Sequence, residues 1–195
     1  LASIQRHVQA SASEDGAQRR RAMETIKAVL FDQEVMDTAG YTHVFHEIAK
    51  PVLKRFSDPV HKCREAAVSM ISCFLQRVTD VTPIIAYMFP ALMQRIPADV
   101  GYDPDIQLFV HNLEEHEAYK RGKAVDRQDR SNVYVHHVVE SSEEIRFELC
   151  RLIDHLLDLL QRHNTYSVLH PYFNETVLFV QTHLRDPFPE LKVLA

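Results

Sequence analysis

Glycine is scarce in this chain, with four among 195 residues. That disfavours turn-rich all-β folds and leaves no glycine-rich loop to cradle a phosphate: neither GxxxxGK[ST] nor GxGxxG occurs. No GxSxG elbow frames a nucleophilic serine. Tryptophan is absent, and the three cysteines, Cys63, Cys73 and Cys150, are an odd number without CxxC spacing. Each sits in an apolar helical pattern, which reads as a reduced, buried thiol rather than a zinc ligand or disulfide. Long apolar runs are missing too. The longest, Ile84 to Met93, is too short to cross a bilayer, and no secretory signal opens the chain. Net charge is −5 and the isoelectric point about 6.2, which gives no general attraction to nucleic acid or anionic membrane. The chain begins with Leu1 rather than Met, the expectation for a piece of a longer protein.

What is present is helical periodicity. Leu1, Ile4 and Val8 are at helical spacing, and after a break at Ser11–Gly16 a second stripe holds Ala22, Ile26, Val29 and Leu30. Gly40 is expected to separate the next helix. There Tyr41, Val44, Phe45, Ile48, Ala49, Val52, Leu53 and Phe56 follow an unbroken i, i+3, i+4, i+7 pattern, with Pro51 expected to kink it. Asp58-Pro59 is a tight break that suits a capping acid and a proline at the first helical position. The partner helix carries Val60, Cys63, Ala67, Met70, Ile71, Phe74 and Val78 on one face. So short a turn makes the two an antiparallel αα-hairpin.

Thr82-Pro83 repeats that start, ahead of Ile84, Ile85, Met88, Phe89, Leu92, Met93 and Ile96, with Pro90 as a second kink. Asp103-Pro104 is expected to open a short helix bearing Ile106, Phe109, Val110 and Leu113. Residues 114–132 are dense in both charges, and Val133–Val139 is β-prone. Ser141 and Glu144 form a capping-box pattern before the strongest stripe, Ile145, Leu149, Leu152, Ile153, Leu156, Leu157 and Leu160. His163-Asn164-Thr165 ends it, and Val168, Leu169, Tyr172, Phe173, Val177, Val180 and Leu184 mark a last helix before Asp186-Pro187.

An acid followed six residues later by a base recurs at the helix starts: Asp15 and Arg21, Asp58 and Arg64, Glu140 and Arg146, Asp186 and Lys192. The acids are spaced by 43, 82 and 46 residues, the middle interval holding one repeat plus an insertion. A period of about 40–47 residues, each a helix pair, is the HEAT/armadillo signature. The fold expected is all-α, an α-solenoid of HEAT/armadillo-type antiparallel helix pairs with one long insertion. Its repeats fall at residues 1–31, 41–78, 84–163 (insertion 97–140) and 168–195, the last truncated. A lone helix pair leaves an apolar face that only stacking buries. An acid at each turn and a base on the following helix can bond across neighbouring repeats as a ladder that sets register. Such pairs, if exposed, contribute under ~1 kcal/mol each.

Other constellations give way to plainer readings. Arg19, Arg20 and Arg21 beside Glu14, Asp15 and Glu24 form a locally neutralised face rather than a phosphate patch. His46-Glu47 and His116-Glu117 are similar to the iron-ligating steps of HEAT-like hydroxylases resembling deoxyhypusine hydroxylase. Here they fall out of register, so surface histidines are the better account. His136 and His137 would point opposite ways in an extended segment and cannot chelate jointly. No catalytic, cofactor-binding or metal-binding residue is assigned, and no cofactor is expected.

The stretches Arg19-Arg20-Arg21-Ala22, Phe56-Ser57-Asp58-Pro59 with Cys63-Arg64 and Ala67-Val68, Glu143-Glu144-Ile145-Arg146, and Leu184-Arg185-Asp186-Pro187-Phe188 resemble the N-terminal region of the HEAT-repeat axonemal dynein assembly factors, also called the HEAT repeat-containing protein 2 family. They occur in the same order over nearly the whole chain, while the charged insertion between Pro97 and Glu140 departs from the pattern. The resemblance implies a cytoplasmic, non-enzymatic scaffold that preassembles dynein arms for cilia or flagella, with dynein chains and chaperones as partners. The residues themselves indicate only an extended protein-binding surface. Another HEAT adaptor, of transport-receptor or phosphatase-scaffold type, and a metal-dependent HEAT hydroxylase stay as alternatives.

Overall fold

The computed structural model describes residues 2–32, 36–95, 100–103, 108–111, 140–184, 186 and 190. Its elements are α1 (Ala2–Ala10), α2 (Gly16–Phe31), α3 (Thr38–Leu53), α4 (His61–Leu75), α5 (Thr82–Met93), β1 (Val100–Asp103), β2 (Leu108–His111), α6 (Glu143–His163) and α7 (Phe173–Leu184). Short 3-10 turns at Lys54–Ser57 and Tyr166–Tyr172 follow α3 and precede α7. The fold is an all-α solenoid. One layer is α2, α4 and α6, each packed on the next; α3 packs on α4 and on α5, and α5 packs on α7.

On α3, α4 and α6 the core is where the periodicity placed it; the last helix is a correction, since Phe179 is buried there while Phe173 and Leu184 are exposed, as is Val29 on α2. Tyr41, Val44, Phe45, Ile48, Ala49, Val52 and Leu53 are all buried on α3. Facing them, Cys63, Ala67, Met70, Ile71, Phe74 and Leu75 are buried on α4. Phe74 meets Phe31 and Phe45 at ring-centroid distances of 5.0 and 5.2 Å, joining α2, α3 and α4 in one aromatic contact. On α6, Ile145, Leu149, Leu152, Ile153, Leu156, Leu159 and Leu160 are buried, while Leu157 is half-buried. These residues form one continuous cluster with those of α2–α5. Among the described residues no helix is long and apolar enough to cross a membrane.

Several local expectations are corrected. Gly40 does not precede α3 but lies in its first turn, where its N–H donates to Asp37 Oδ1 at 2.8 Å; Asp37 is the cap. Helix α4 begins at His61, so Pro59 lies outside it, in the turn. Ser142 rather than Ser141 caps α6, accepting from the Ile145 N–H at 3.3 Å and donating to Glu144 at 2.7 Å. Where a short helix was expected after Asp103, Leu108–His111 is a strand, β2, paired antiparallel with β1, Val100 opposite His111. The β-branched and aromatic residues there satisfy a strand as well as a helix stripe, and cross-strand pairing decides. The β-prone segment Val133–Val139 lies outside the described residues. Helix α3 runs through Pro51 into its 3-10 turn. Asn164, at φ 52°, closes α6 in the left-handed conformation.

Candidate functional site: a buried arginine–carboxylate ladder

Each turn entering a helix of the α2–α4–α6 layer sets an arginine against the carboxylate of the following turn. Arg19 of α2 donates through Nε to Asp58 Oδ2 at 2.7 Å and through a terminal nitrogen to Oδ1 at 2.9 Å. Arg64 of α4 grips Glu140 in the same fork, at 2.7 and 2.9 Å. Arg146 of α6 grips Asp186 at 2.7 and 3.0 Å. The remaining terminal nitrogen of each arginine turns back on its own turn. Arg19 donates to the carbonyls of Ser13 and Glu14, Arg64 to those of Asp58 and Pro59, and Arg146 to those of Glu140 and Ser141. One planar guanidinium thus closes its own helix entrance and clamps the next one, which a lysine's point charge cannot do.

These backbone contacts fix the alignment. The residue six before each arginine is Ser13, Asp58 and Glu140, and its side-chain oxygen accepts the N–H two residues on in every case: Asp15, Val60 and Ser142. Ser13 and Arg19, not Asp15 and Arg21, therefore occupy the first unit's positions. Asp15 caps α2 through the Ala17 N–H at 2.9 Å, and Arg21 is exposed. The helical phase carried the signal: Arg19 precedes Ala22, Met23 and Ile26 by three, four and seven, which puts it on the buried face. Arg64 and Glu140, and Arg146 and Asp186, are brought together across adjoining turns. Lys192 lies outside the described residues.

A second arginine stands at the end of the preceding helix in two of the turns. Arg55 reaches Asp58 Oδ2 at 3.3 Å, and Arg95 reaches Glu140 Oε2 at 2.8 Å. Neither was singled out from the sequence, since a base just before a turn is unremarkable until the acid beyond it is known to be buried. His183 holds the corresponding place before Asp186, because the Asp186 N–H donates to its carbonyl as the Asp58 N–H does to that of Arg55.

Burial changes the energetics. The carboxylate side chains of Asp58, Glu140 and Asp186 are 0–1% exposed, and those of their forked arginines 6–12%. The figure for exposed pairs therefore does not apply: breaking a buried pair leaves an uncompensated charge, which costs several times more than losing an exposed one. Burial alone would raise the carboxyl pKa of Asp58. The Arg19 fork and the Val60 N–H outweigh it and hold that group below its ordinary value. Glu140 is lowered likewise, burial being opposed by Arg64, the Ser142 N–H and Arg95. Beside the last rung, burial pushes the Cys150 thiol up to about 12, so it is an inert core group. Cys63 and Cys73 are also unbridged, Cys63 buried and Cys73 half-buried.

Among the described residues each rung pairs its carboxylate with a hydrogen-bonded arginine. The ladder's chemistry is positional. His46 bonds through Nε2 to the Asp80 carbonyl at 3.0 Å, tying α3 to the turn before α5; His116 and Glu117 lie outside the described residues. Among the described residues no group of three or more metal-ligating side chains converges.

Fold and ladder together define a solenoid of stacked helix pairs pinned at their turns. Residues 11–104 match the family model described as dynein axonemal assembly factor 5-like, TPR repeats. The chain is also similar to the dynein axonemal assembly factor 5 of Xenopus laevis, with 26% identity over 190 residues, 97% of this chain and 18% of the relative. Residues 11–104 thus resemble the repeats of that family model, and the similarity to the relative extends over nearly the whole chain. The chain spans about a fifth of the relative's length. No solved structure matches. In this chain the ladder arginines of adjoining units, Arg19 and Arg64, are 45 residues apart. That is HEAT/armadillo length rather than the 34 or so residues of a TPR unit.

Proposed function

We propose that this chain is part of a non-enzymatic scaffold that preassembles axonemal dynein arms in the cytoplasm, holding dynein chains and their chaperones on a rigid helical surface. The observation that carries the reading is the ladder-pinned solenoid on a sequence similar to a dynein axonemal assembly factor along 97% of its length. Forked, buried rungs fix the rotation of each helix pair on the next, so a surface spread over several units keeps its shape without a partner. Preorganisation of that kind lowers the cost of binding. We place the repeat boundaries at the rungs Arg19–Asp58, Arg64–Glu140 and Arg146–Asp186. Affinity capture on this chain from the cytoplasm of a ciliated cell tests the proposal. Dynein chains and chaperones are expected in the retained fraction; a capture containing neither overturns it.

A further inference from the structure

A groove of about 730 Å³ is lined by Arg20, Glu24 and Lys27 of α2, by residues of α4 between Lys62 and Ser69, and by the start of α6. Its floor is partly apolar, with Ala66 and Phe147 among the lining residues, and charged side chains stand along its length. The charges are not evenly matched. Two ion pairs lie among them, Arg20 at 3.8 Å from Glu24 and Lys62 at 2.6 Å from Glu65, while Lys27 donates to the neutral Ser69 hydroxyl. Towards α6 the wall carries Glu143, Glu144 and Glu190. Among the described residues none of these three forms an ion pair; Glu144 bonds to the Ser142 hydroxyl, and the nearby charges of His61 and Lys62 also favour its ionised form. Buried rungs immediately beneath hold Arg64 and Arg146 on their own carboxylates, so the ladder cannot supply the missing charge.

We propose that this groove is a docking site for a basic amphipathic segment of a partner protein, its apolar side on the Ala66–Phe147 floor and its lysines or arginines against Glu143, Glu144 and Glu190. The occupant follows from charge complementarity: a partly apolar groove lined by six glutamates against Arg20, Lys27 and Lys62, with Glu143, Glu144 and Glu190 in no ion pair among the described residues, favours a segment bringing cations. An acidic or purely apolar segment would leave that wall unmatched. The inference deepens the scaffold reading by giving it a surface, and rests on it only in taking the occupant to be a protein.

The test uses the whole chain and a fluorescein-labelled lysine–leucine amphipathic peptide, with the glutamate–leucine peptide of equal length as its counterpart. Binding is read by fluorescence anisotropy at physiological salt. The lysine peptide is expected to bind and the glutamate peptide not. Joint Glu143→Lys, Glu144→Lys and Glu190→Lys substitution is expected to weaken the lysine peptide about tenfold or more. Joint Glu47→Lys, Asp154→Lys and Asp158→Lys substitution, at exposed acids outside the groove, gives the same change in net charge and should alter affinity less than about twofold. Melting curves of both variants are compared with the parent to show that each is folded. Equal weakening by the two sets, or equal binding of the two peptides, overturns the proposal, as does sedimentation showing that the groove set dissolves a dimer of this chain. Loss of dynein capture with peptide binding intact would remove the dynein reading and leave the groove standing.

Discussion

The turns at Asp58 and at Glu140 do the same work by very different routes. Between Arg55 and Asp58 lie two residues, Phe56 and Ser57; between Arg95 and Glu140 lie forty-four. Yet both acids receive a forked arginine from the preceding layer helix at 2.7 and 2.9 Å, and both accept a second arginine from the end of the preceding outer helix. Partners 39 residues apart in one case and 76 in the other meet in the same geometry. The insertion therefore replaces a two-residue connection and leaves the stack beneath it unchanged. Loop-closure entropy allows this, since cost grows only with the logarithm of length; closing the longer connection is about 3 kcal/mol harder. The Arg95–Glu140 contact joins the two ends, so Glu140 serves the stack and the insertion together.

The sharpest way to break this comparison is to remove the shared acid. Glu140→Ala leaves Arg64 and Arg95 largely buried without their carboxylate and is expected to cost about 3–5 kcal/mol, lowering the melting temperature by roughly 10 °C in a thermal circular-dichroism scan. A drop no larger than that of an exposed pair would show that the rung does not support the stack. Exchanging residues 96–139 for the pair Phe-Ser tests the equivalence of the turns directly. The shortened chain should fold and gain up to about 3 kcal/mol in urea unfolding; failure to fold would mean that the insertion completes the stack.

Replacing the fork but keeping the charge has a smaller effect. Arg64→Lys retains one contact to Glu140 and loses the others, for an expected loss of about 1–3 kcal/mol. The acid limb of stability should report both turns at once. Asp58 and Glu140 titrate below their ordinary values when folded, so the unfolded chain binds protons first as pH falls. Their contribution is complete above the ordinary carboxyl range, about pH 4, and fades as pH drops through the lower folded values. Urea midpoints should accordingly hold steady towards pH 5 and fall below pH 4 or so, with a shallower fall in Asp58→Asn and Glu140→Gln. The smallest effect is expected at the first turn. Arg21→Ala should change stability by less than about 0.5 kcal/mol, while Arg19→Ala lowers the melting temperature clearly; the reverse order would restore the Asp15–Arg21 alignment.

Periodicity alone determined the helical class and most of the core. The stripes from Tyr41 to Phe56 and from Ile145 to Leu160 leave little choice, because an i, i+3, i+4, i+7 pattern makes one face and that face must be covered. The recurrence of acid and base six apart was also legible at two of these helix starts, Asp58–Arg64 and Glu140–Arg146, as a pattern of residue types at fixed offsets. Only tertiary structure decided which arginine of Arg19-Arg20-Arg21 turns inward, that Ser13 stands where later turns carry an acid, and that Arg55 and Arg95 join the rungs. It also decided between helix and hairpin at Val100–His111. The reason is physical: sequence offsets fix the face on which a side chain stands, but burial and partnership depend on what the next helix pair brings against that face. The ladder's charges count for stability because the stack removes them from water, and no spacing of residues along one chain contains that fact.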